Sequence, residues 1–158
     1  MSELTHLDTR GEARMVDVGE KPRTHRRAVA EAYLRASEEV VALLRTGSAP
    51  KGDVLATARV AGIMAAKRTP ELIPLCHGVA LTRVSVDLEV QANGVRIVAA
   101  AEAQDRTGVE MEAMTAASIA ALTLYDMLKS LDKGLVVERL ALVEKEGGRS
   151  GHWRRGAP

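Results

Sequence analysis

The chain has 158 residues, of which 46% are hydrophobic but only 2% aromatic, and it contains no Phe. A chain of this length matches one ordinary domain that buries a core without disulfides, and that core must be built from small aliphatic side chains. The formal net charge of +1 argues against a nucleic-acid binder that works by counterion release, because such a protein carries a basic excess.

The single cysteine, Cys76, has no intrachain partner, so we expect a reducing compartment. The N-terminus lacks the charged-then-apolar pattern of a signal peptide, and no apolar run approaches the roughly 18 residues of a membrane span. These features predict a cytoplasmic protein that contacts neither membranes nor nucleic acid. We expect a flexible arm over residues 1–12 and a single domain over residues 13–158, since no linker or repeat divides the chain.

The first segments of the chain predict two strands and a helix. Residues 15–18 read as a short strand, and residues 25–32 look extended. Apolar side chains then recur at helical spacing over residues 33–44, and Gly47 follows where a C-cap glycine would stand.

A second helix and a turn come next. Asp53 is a good N-cap for a helix whose apolar face includes Ala58, Gly62 and Ala66. Prolines stop this helix and bracket a turn at residues 75–77.

A hairpin is the clearest local prediction. Apolar and polar side chains alternate strictly over residues 84–90, which indicates a strand with one buried face. Asn93-Gly94, the preferred type I′ turn pair, follows, and residues 95–101 continue as the return strand.

Residues 109–131 predict a helix that is apolar nearly all round and therefore central. Residues 135–143 predict a last strand, and Gly147-Gly148 opens a polar tail. This order of elements fits an α+β sandwich with helices on one face of the sheet.

Asp126 and Lys129 lie three residues apart on the central helix and so share one of its faces. Burying a charged side chain on such a helix costs free energy unless the charge is paired with an opposite one or serves in binding or catalysis. One interpretation is an ion pair on the helix surface. The other is a catalytic base whose acidity is set by the lysine. The pattern alone leaves both open.

Glu110 and Glu112 lie in the first turn of the same helix, where the helix dipole favours negative charge. Fourteen residues at about 1.5 Å each place Glu112 roughly 21 Å from Asp126 along the axis. Groups so far apart contact opposite ends of one nucleotide or belong to different copies of a site. We therefore expect sites built across subunits.

His77 and Cys76 also have two interpretations. A lone histidine in an apolar turn is more often structural than catalytic, and Cys76 can equally fill the core. The chain shows no zinc-ligand spacing, so we expect no metal site. Cations near helix ends either complement helix dipoles or converge on phosphates. They are Lys51, Lys67, Arg68, Lys129 and Lys133.

Several longer segments occur in order along the chain. They are KGDV at residues 51–54, AAKRT at residues 65–69, LIPLCH at residues 72–77, TGVEMEA at residues 107–113 and YDM at residues 125–127. Shorter ones lie at residues 4–6, 15–18 and 147–148. Over essentially its whole length the chain resembles the cyclic pyranopterin monophosphate synthase family, also called molybdenum cofactor biosynthesis protein C.

This resemblance implies a ferredoxin-like α+β fold, an antiparallel sheet with helices packed on one face. It implies a hexamer, a trimer of dimers, with active sites at the dimer interface. The implied reaction converts (8S)-3′,8-cyclo-7,8-dihydroguanosine 5′-triphosphate to cyclic pyranopterin monophosphate and diphosphate, which is lyase chemistry in molybdenum cofactor biosynthesis. We expect no resident cofactor, although Mg²⁺ can accompany the triphosphate.

Motif by motif, the resemblance makes Asp126 the catalytic aspartate. We expect Lys129 to act with it as a coupled acid–base pair and Lys51 to be a second acid–base or phosphate-side group. The implied substrate-binding residues are Leu75, Cys76, His77, Met111, Glu112, Lys67 and Arg26. Of these, Lys67 and Arg26 are expected to hold the triphosphate.

The chain departs from the family pattern at two positions. Gly78 replaces the usual proline after the Leu-Cys-His turn, which loosens the backbone there. Glu146 stands where a serine is common, and we expect it not to contact phosphate. A second functional interpretation is a non-catalytic oligomer that binds nucleotides or pterins, which would have no need of Asp126.

Overall fold

A computed structural model of the chain describes residues 7–156. Half of the predicted arm, residues 1–6, and with it the similar segment at residues 4–6, lies outside the described residues. Residues 7–13 form a turn that an antiparallel bridge between Leu7 and Ala13 closes.

Five strands build the sheet: β1 (Thr24–Arg35), β2 (Leu81–Gln91), β3 (Gly94–Asp105), β4 (Val136–Glu146) and β5 (Trp153–Arg154). They form one sheet in the order β2-β3-β1-β4-β5, and every neighbouring pair is antiparallel. The first four strands, with helices after β1 and β3, have the ferredoxin-like arrangement, so the predicted α+β class is confirmed.

Four helices complete the fold: α1 (Glu38–Thr46), α2 (Val54–Lys67), α3 (Thr69–Leu72) and α4 (Glu110–Leu128). Both predicted caps are confirmed. Gly47 has a left-handed φ of 67°, and its N–H points to the carbonyl oxygens of Leu43 and Leu44. The Asp53 side chain accepts a hydrogen bond from the N–H of Ala56 at 2.9 Å. Among the described residues, no helix combines the length and apolarity that a membrane crossing requires.

The helices pack on one face of the sheet. Every second side chain of β1 from Ala28 to Leu34 is buried, as is every second one of β3 from Val95 to Ala103. α4 lies against β1, β3 and β4, and α2 packs beside α4. The core is almost entirely small and aliphatic, as the composition requires, and this lets helix and sheet come close together.

α2 and α4 run antiparallel and touch at Gly62. A Cβ atom added there would lie 2.8 Å from the carbonyl oxygen of Ala116, in the middle of α4. Just before α2 begins, Lys51 contacts Asp126 near the end of α4. It follows that Lys67, the last residue of α2, lies towards the beginning of α4.

The predicted strand at residues 15–18 is wrong. The backbone there forms loop contacts instead of strand pairing. The carbonyl oxygen of Val16 accepts a hydrogen bond from Nε2 of the His77 ring at 2.6 Å. Next to it, the Asp17 side chain accepts the N–H of Gly19 at 2.8 Å. These contacts take the place of a strand ladder.

The predicted start of the first helix is also wrong. Tyr33 belongs to β1, where it pairs with Arg96 of β3 and Glu138 of β4. The helix begins only after the N-cap Ser37. Strand pairing on both sides of β1 therefore overrides the local helical spacing.

The β2–β3 hairpin is confirmed, but its turn is not the predicted one. Gln91 pairs with Gly94, so the turn residues are Ala92 and Asn93, and neither has the positive φ of a type I′ turn. Gly94 is instead required by a close approach, because a Cβ atom there would collide with the carbonyl oxygen of Leu34.

Candidate functional site

The predicted site residues lie at opposite ends of α4. At its C-terminal end are Lys51, Asp126 and Lys129, called here the Asp126 group. At the N-terminal end are Arg26, Lys67, Leu75, Cys76, His77, Met111 and Glu112. Because α4 is one uninterrupted helix, Glu112 and Asp126 are about 21 Å apart along its axis. A single chain does not bring the two sets together.

In the Asp126 group, two ammonium groups approach one aspartate. Lys129 Nζ donates to Asp126 Oδ1 at 2.6 Å, and Lys51 Nζ donates to the Asp126 carbonyl oxygen at 3.2 Å. The hydrogen bond and charge of Lys129 lower the pKa of Asp126, while Asp126 raises the pKa of Lys129. The resting state is therefore a carboxylate beside ammonium groups.

The Asp126 group is open to solvent. The side chains of Asp126 and Lys129 are 65% and 55% exposed. An exposed pair on one helix contributes little to stability. The approach of Lys51 from another part of the chain distinguishes this cluster from an ordinary surface pair, and its exposure leaves the acid–base groups accessible to a ligand.

At the other end of α4, Glu112 is buried to 2% exposure. Burial raises the pKa of its carboxyl to about 7, and the neighbouring charges of Glu110 and Asp105 act in the same direction. Its Oε1 lies 4.0 Å from the thiol of Cys76, and its buried Oε2 has no hydrogen-bond partner within residues 7–156. Near neutral pH this carboxyl can therefore either accept or donate a hydrogen bond.

Burial, and then the charges of Glu112 and Glu110, raise the pKa of the Cys76 thiol. Cys76 is consequently a protonated thiol, which is the wrong state for a nucleophile. Its neighbour His77 donates from Nε2 to the carbonyl oxygen of Val16 and holds that loop against the turn. This hydrogen bond supports the interpretation that His77 has a structural role.

Sequence reasoning missed Lys145. Its Nζ donates to Glu110 Oε1 at 3.1 Å, which places a cation in the first turn of α4. Lys145 pairs with Ala28 and so shares the helix-facing side of the sheet. It was overlooked because the last strand was predicted to end at residue 143, whereas β4 continues to Glu146. Cys76, Glu110, Glu112 and Lys145 are called here the Glu112 group.

Glu146 lies on the opposite side of the sheet from the Glu112 group. Its partner there is Arg27, which contacts Glu146 at 3.3 Å and Glu144 at 3.4 Å. Within residues 7–156, Glu144, Glu146 and His152 have ligand atoms close enough together for a metal ion. Because Arg27 pairs with both carboxylates and His152 Nε2 lies 2.7 Å from Glu144 Oε1, this cluster is an ion-pair network.

Arg26 stands where β1 begins, beside the loop that leads into α4. Its Nε and Nη2 donate to the carbonyl oxygens of Asp105 and Arg106 at 3.2 and 3.1 Å. It borders an open cleft of about 880 Å³. Lys67 is exposed, while Leu75 and Met111 are half-buried.

The site can be compared with known proteins. The sequence model of the MoaC family matches residues 15–148. A cyclic pyranopterin monophosphate synthase from Thermomicrobium roseum is 61% identical over 98% of this chain and 95% of its own length. One from Novosphingobium aromaticivorans is 56% identical over 98% of both chains. Cyclic pyranopterin monophosphate synthase 2 of Mycobacterium bovis is 60% identical over 97% of this chain and 92% of its own.

Proposed function

The chain belongs to the MoaC family, and on that premise we propose that it is a cyclic pyranopterin monophosphate synthase of molybdenum cofactor biosynthesis. It is a lyase that converts (8S)-3′,8-cyclo-7,8-dihydroguanosine 5′-triphosphate to cyclic pyranopterin monophosphate and releases diphosphate. The observation that carries this proposal is the meeting of Lys51 with the Asp126–Lys129 pair.

The reaction opens one ring, builds others and closes a cyclic phosphate. It transfers protons and releases an anion without net oxidation, so it needs acid–base groups and positive charge. In the resting state Asp126 is the base and Lys129 the acid, because each stabilises the charged form of the other. Lys51 adds a second ammonium on the same side of the substrate.

Binding is assigned to the other end of α4. The unpartnered Oε2 of Glu112 is suited to a ring N–H of the substrate's base, since a buried oxygen without a partner is costly. The Cys76 thiol lies 4.0 Å from Glu112 Oε1, a long contact that places it in the same binding region. We assign Leu75, His77 and Met111 to the same binding region, with Lys67 nearby.

A complete site requires two copies of the chain. One rigid helix separates the Asp126 group from the Glu112 group, so an interface that places them opposite each other would unite them on one substrate. Exposed apolar side chains on the outer side of the helix layer support such an assembly. They include Val60, Met64 and Leu122, which are 55%, 49% and 54% exposed. We propose a hexamer built as a trimer of dimers.

The proposed reaction needs no resident cofactor, because no step oxidises or reduces the substrate. Mg²⁺ would arrive with the triphosphate as its counterion. The free thiol of Cys76 supports a reducing, cytoplasmic location.

The test is turnover of the cyclised triphosphate, followed as diphosphate release and pterin product. Wild type should form both, and Asp126→Asn should lose about 10²–10⁴-fold in kcat, the range of acid–base catalysis. Asp87→Asn, at an exposed carboxylate of β2, is the matched control and should behave as wild type. If wild type binds the compound without releasing diphosphate, the non-catalytic interpretation replaces this one.

A further inference from the structure

Asp132 connects the segment that follows α4 to the beginning of α1. Its Oδ2 accepts the backbone N–H of Ser37, the N-cap of α1, at 2.9 Å across 95 positions of sequence. Its Oδ1 accepts the N–H of Gly134 at 2.7 Å and closes the turn in which Asp132 lies. These hydrogen bonds lower the pKa of the Asp132 carboxyl, and the charge of Arg35 acts in the same direction. Asp132 is therefore a carboxylate at neutral pH that holds two parts of the backbone together.

The backbone between α4 and Asp132 is held at each step by hydrogen bonds. The N–H of Lys129 donates to the carbonyl oxygen of Tyr125 at 2.9 Å, so Lys129 still belongs to the last turn of α4. The carbonyl oxygen of Leu128 then accepts the N–H groups of Leu131 and Asp132 at 2.9 and 3.3 Å. Leu128 itself is fully buried in the core. Lys129 thus lies between a residue fixed in the core and Asp132, which is fixed to α1.

The side chain of Lys129 depends on this backbone for its direction. It is 55% exposed, yet its Nζ lies 2.6 Å from Asp126 Oδ1. Holding a long, exposed lysine in one geometry costs side-chain entropy, so such pairs form readily only where the backbone already directs the two groups at each other. Helix ends fray unless something holds their last turn. A fixed backbone at Lys129 therefore favours its pairing with Asp126.

We infer that Asp132 is a positioning residue for the proposed reaction: it ties the turn after α4 to the N-cap of α1 and thereby keeps Lys129 beside Asp126. This inference rests on the proposed function for the roles of Asp126 as base and Lys129 as acid. Lys51 reaches Asp126 from the segment before α2, so its approach does not depend on Asp132. The Glu112 group lies at the other end of α4, so substrate binding there does not depend on Asp132 either.

The first test needs no turnover. Lys129 lowers the pKa of Asp126 through its hydrogen bond and its charge, and the charge of Lys51 adds to this effect. Asp132→Ala removes both acceptor oxygens and should let Lys129 move away from Asp126. The pKa of Asp126, followed by NMR titration of its carboxyl carbon, should then rise. Asp132→Asn keeps one acceptor oxygen, so it should have a smaller effect of the same sign and gives a second reading if Asp132→Ala folds poorly.

The same contact can be removed from the side of Ser37. This residue has φ −66° and ψ 159°, a conformation that proline adopts, so Ser37→Pro deletes the N–H that Asp132 accepts. The variant also loses the hydroxyl that accepts the N–H of Val40 at 3.4 Å. Ser37→Ala is the matched control, because it loses the same hydroxyl but keeps the N–H. Ser37→Pro should raise the pKa of Asp126 as Asp132→Ala does, and Ser37→Ala should leave it as in wild type.

The second test follows turnover. Asp132→Ala should lower kcat about tenfold, less than the roughly 10²-fold that a displacement of about 1 Å can cost. KM should stay within twofold of wild type, because the Glu112 group is unaffected. In a protein that already carries Lys129→Met, Asp132→Ala should lower kcat no further, since the residue through which Asp132 acts is gone.

The inference is overturned if the pKa of Asp126 is the same in wild type, Asp132→Ala and Ser37→Pro. It is also overturned if Asp132→Ala lowers kcat by the same factor with and without the Lys129 side chain, since Asp132 would then act by another route. The two tests separate this inference from the proposed function. If Asp132→Ala raises the pKa of Asp126 but wild type does not consume the cyclised triphosphate, the positioning contact stands and the proposed function is lost. Turnover by wild type with an unshifted pKa in Asp132→Ala has the opposite meaning.

Discussion

Lys51 Nζ donates a hydrogen bond to the backbone carbonyl oxygen of Asp126 at 3.2 Å, across 75 positions of sequence. This contact joins the segment before α2 to the end of α4. It places a second ammonium beside the Asp126–Lys129 pair, which is itself a local contact of 2.6 Å. The cluster therefore combines one contact within a helix with one that only the packing of α2 on α4 creates.

Replacing Lys129 should shift the pH dependence of the reaction. Lys129 lowers the pKa of Asp126 through its hydrogen bond and its charge, so Lys129→Met should let that pKa rise. The acid limb of the kcat/KM profile should move to higher pH, and kcat should fall about 10²-fold or more. An unshifted acid limb would show that Asp126 is not the group titrating there. Lys133→Met, at an exposed lysine in the following turn, is the control.

Mixing two inactive variants should restore activity if each site draws on two subunits. Asp126→Asn removes the base at one end of α4, and Glu112→Ala removes the carboxyl at the other. Co-refolding equal amounts should produce mixed dimers with one intact site, and about a quarter of wild-type activity by random pairing. Absence of any recovery, with mixed oligomers shown by mass spectrometry, would contradict the interface model.

Glu112 should make the fold less stable as pH rises. Burial raises the pKa of its carboxyl to about 7 in the folded protein, above the ordinary value of a glutamate, so the folded state holds the proton more tightly than the unfolded state does. The free energy of unfolding should therefore fall between about pH 4.5 and 7, by roughly 1–3 kcal/mol, and then level off. Glu112→Gln should remove this component and be the more stable protein at pH 8.

Denaturant unfolding at pH 5, 6, 7 and 8 measures this effect as the difference between wild type and Glu112→Gln. Glu39→Gln, at an exposed carboxylate of α1, controls for the loss of one charge. If the free energy of unfolding changes with pH in the same way for wild type and Glu112→Gln, Glu112 keeps an ordinary pKa.

Cys76 should alkylate slowly at neutral pH. Burial and the charges of Glu112 and Glu110 raise the pKa of its thiol above the ordinary value of a cysteine. The rate of reaction with iodoacetamide should therefore still be rising above pH 9. Glu112→Gln removes one of the two charges and should move this profile to lower pH. A rate that reaches its plateau near pH 8 would contradict the burial argument.

Two glycine-to-alanine changes should have different effects. At Gly62 a Cβ atom would lie 2.8 Å from the Ala116 carbonyl oxygen, so Gly62→Ala should destabilise the fold by about 1–3 kcal/mol despite the better helix propensity of Ala. At Gly78 the nearest atom would be Pro70 Cγ at 4.0 Å, and φ is not positive. Gly78→Ala should be neutral or stabilise by up to about 1 kcal/mol. Thermal unfolding midpoints of the two variants measure the difference, and equal midpoints would contradict it.

Local patterns predicted much of the fold. The caps at Gly47 and Asp53, the β2–β3 hairpin and the central helix α4 depend on residues within a few positions of one another, and all four are confirmed. The wrong predictions lie where distant contacts compete with the local pattern. Tyr33 follows helical spacing but is held in β1 by two neighbouring strands.

The sequence by itself determined the order of the strands and helices from β1 to β4 apart from the short α3, the aliphatic core, and the separation of Glu112 from Asp126. It could do so because helix rise and side-chain periodicity are properties of the local chain. Only the tertiary structure decided which charges become neighbours. Lys145 beside Glu110 and Arg26 beneath the loop at Arg106 are contacts across 35 and 80 positions. Such pairs depend on strand register and helix packing, which are set only when the strands and helices pack together into the complete core. No spacing of residues along the chain predicts them.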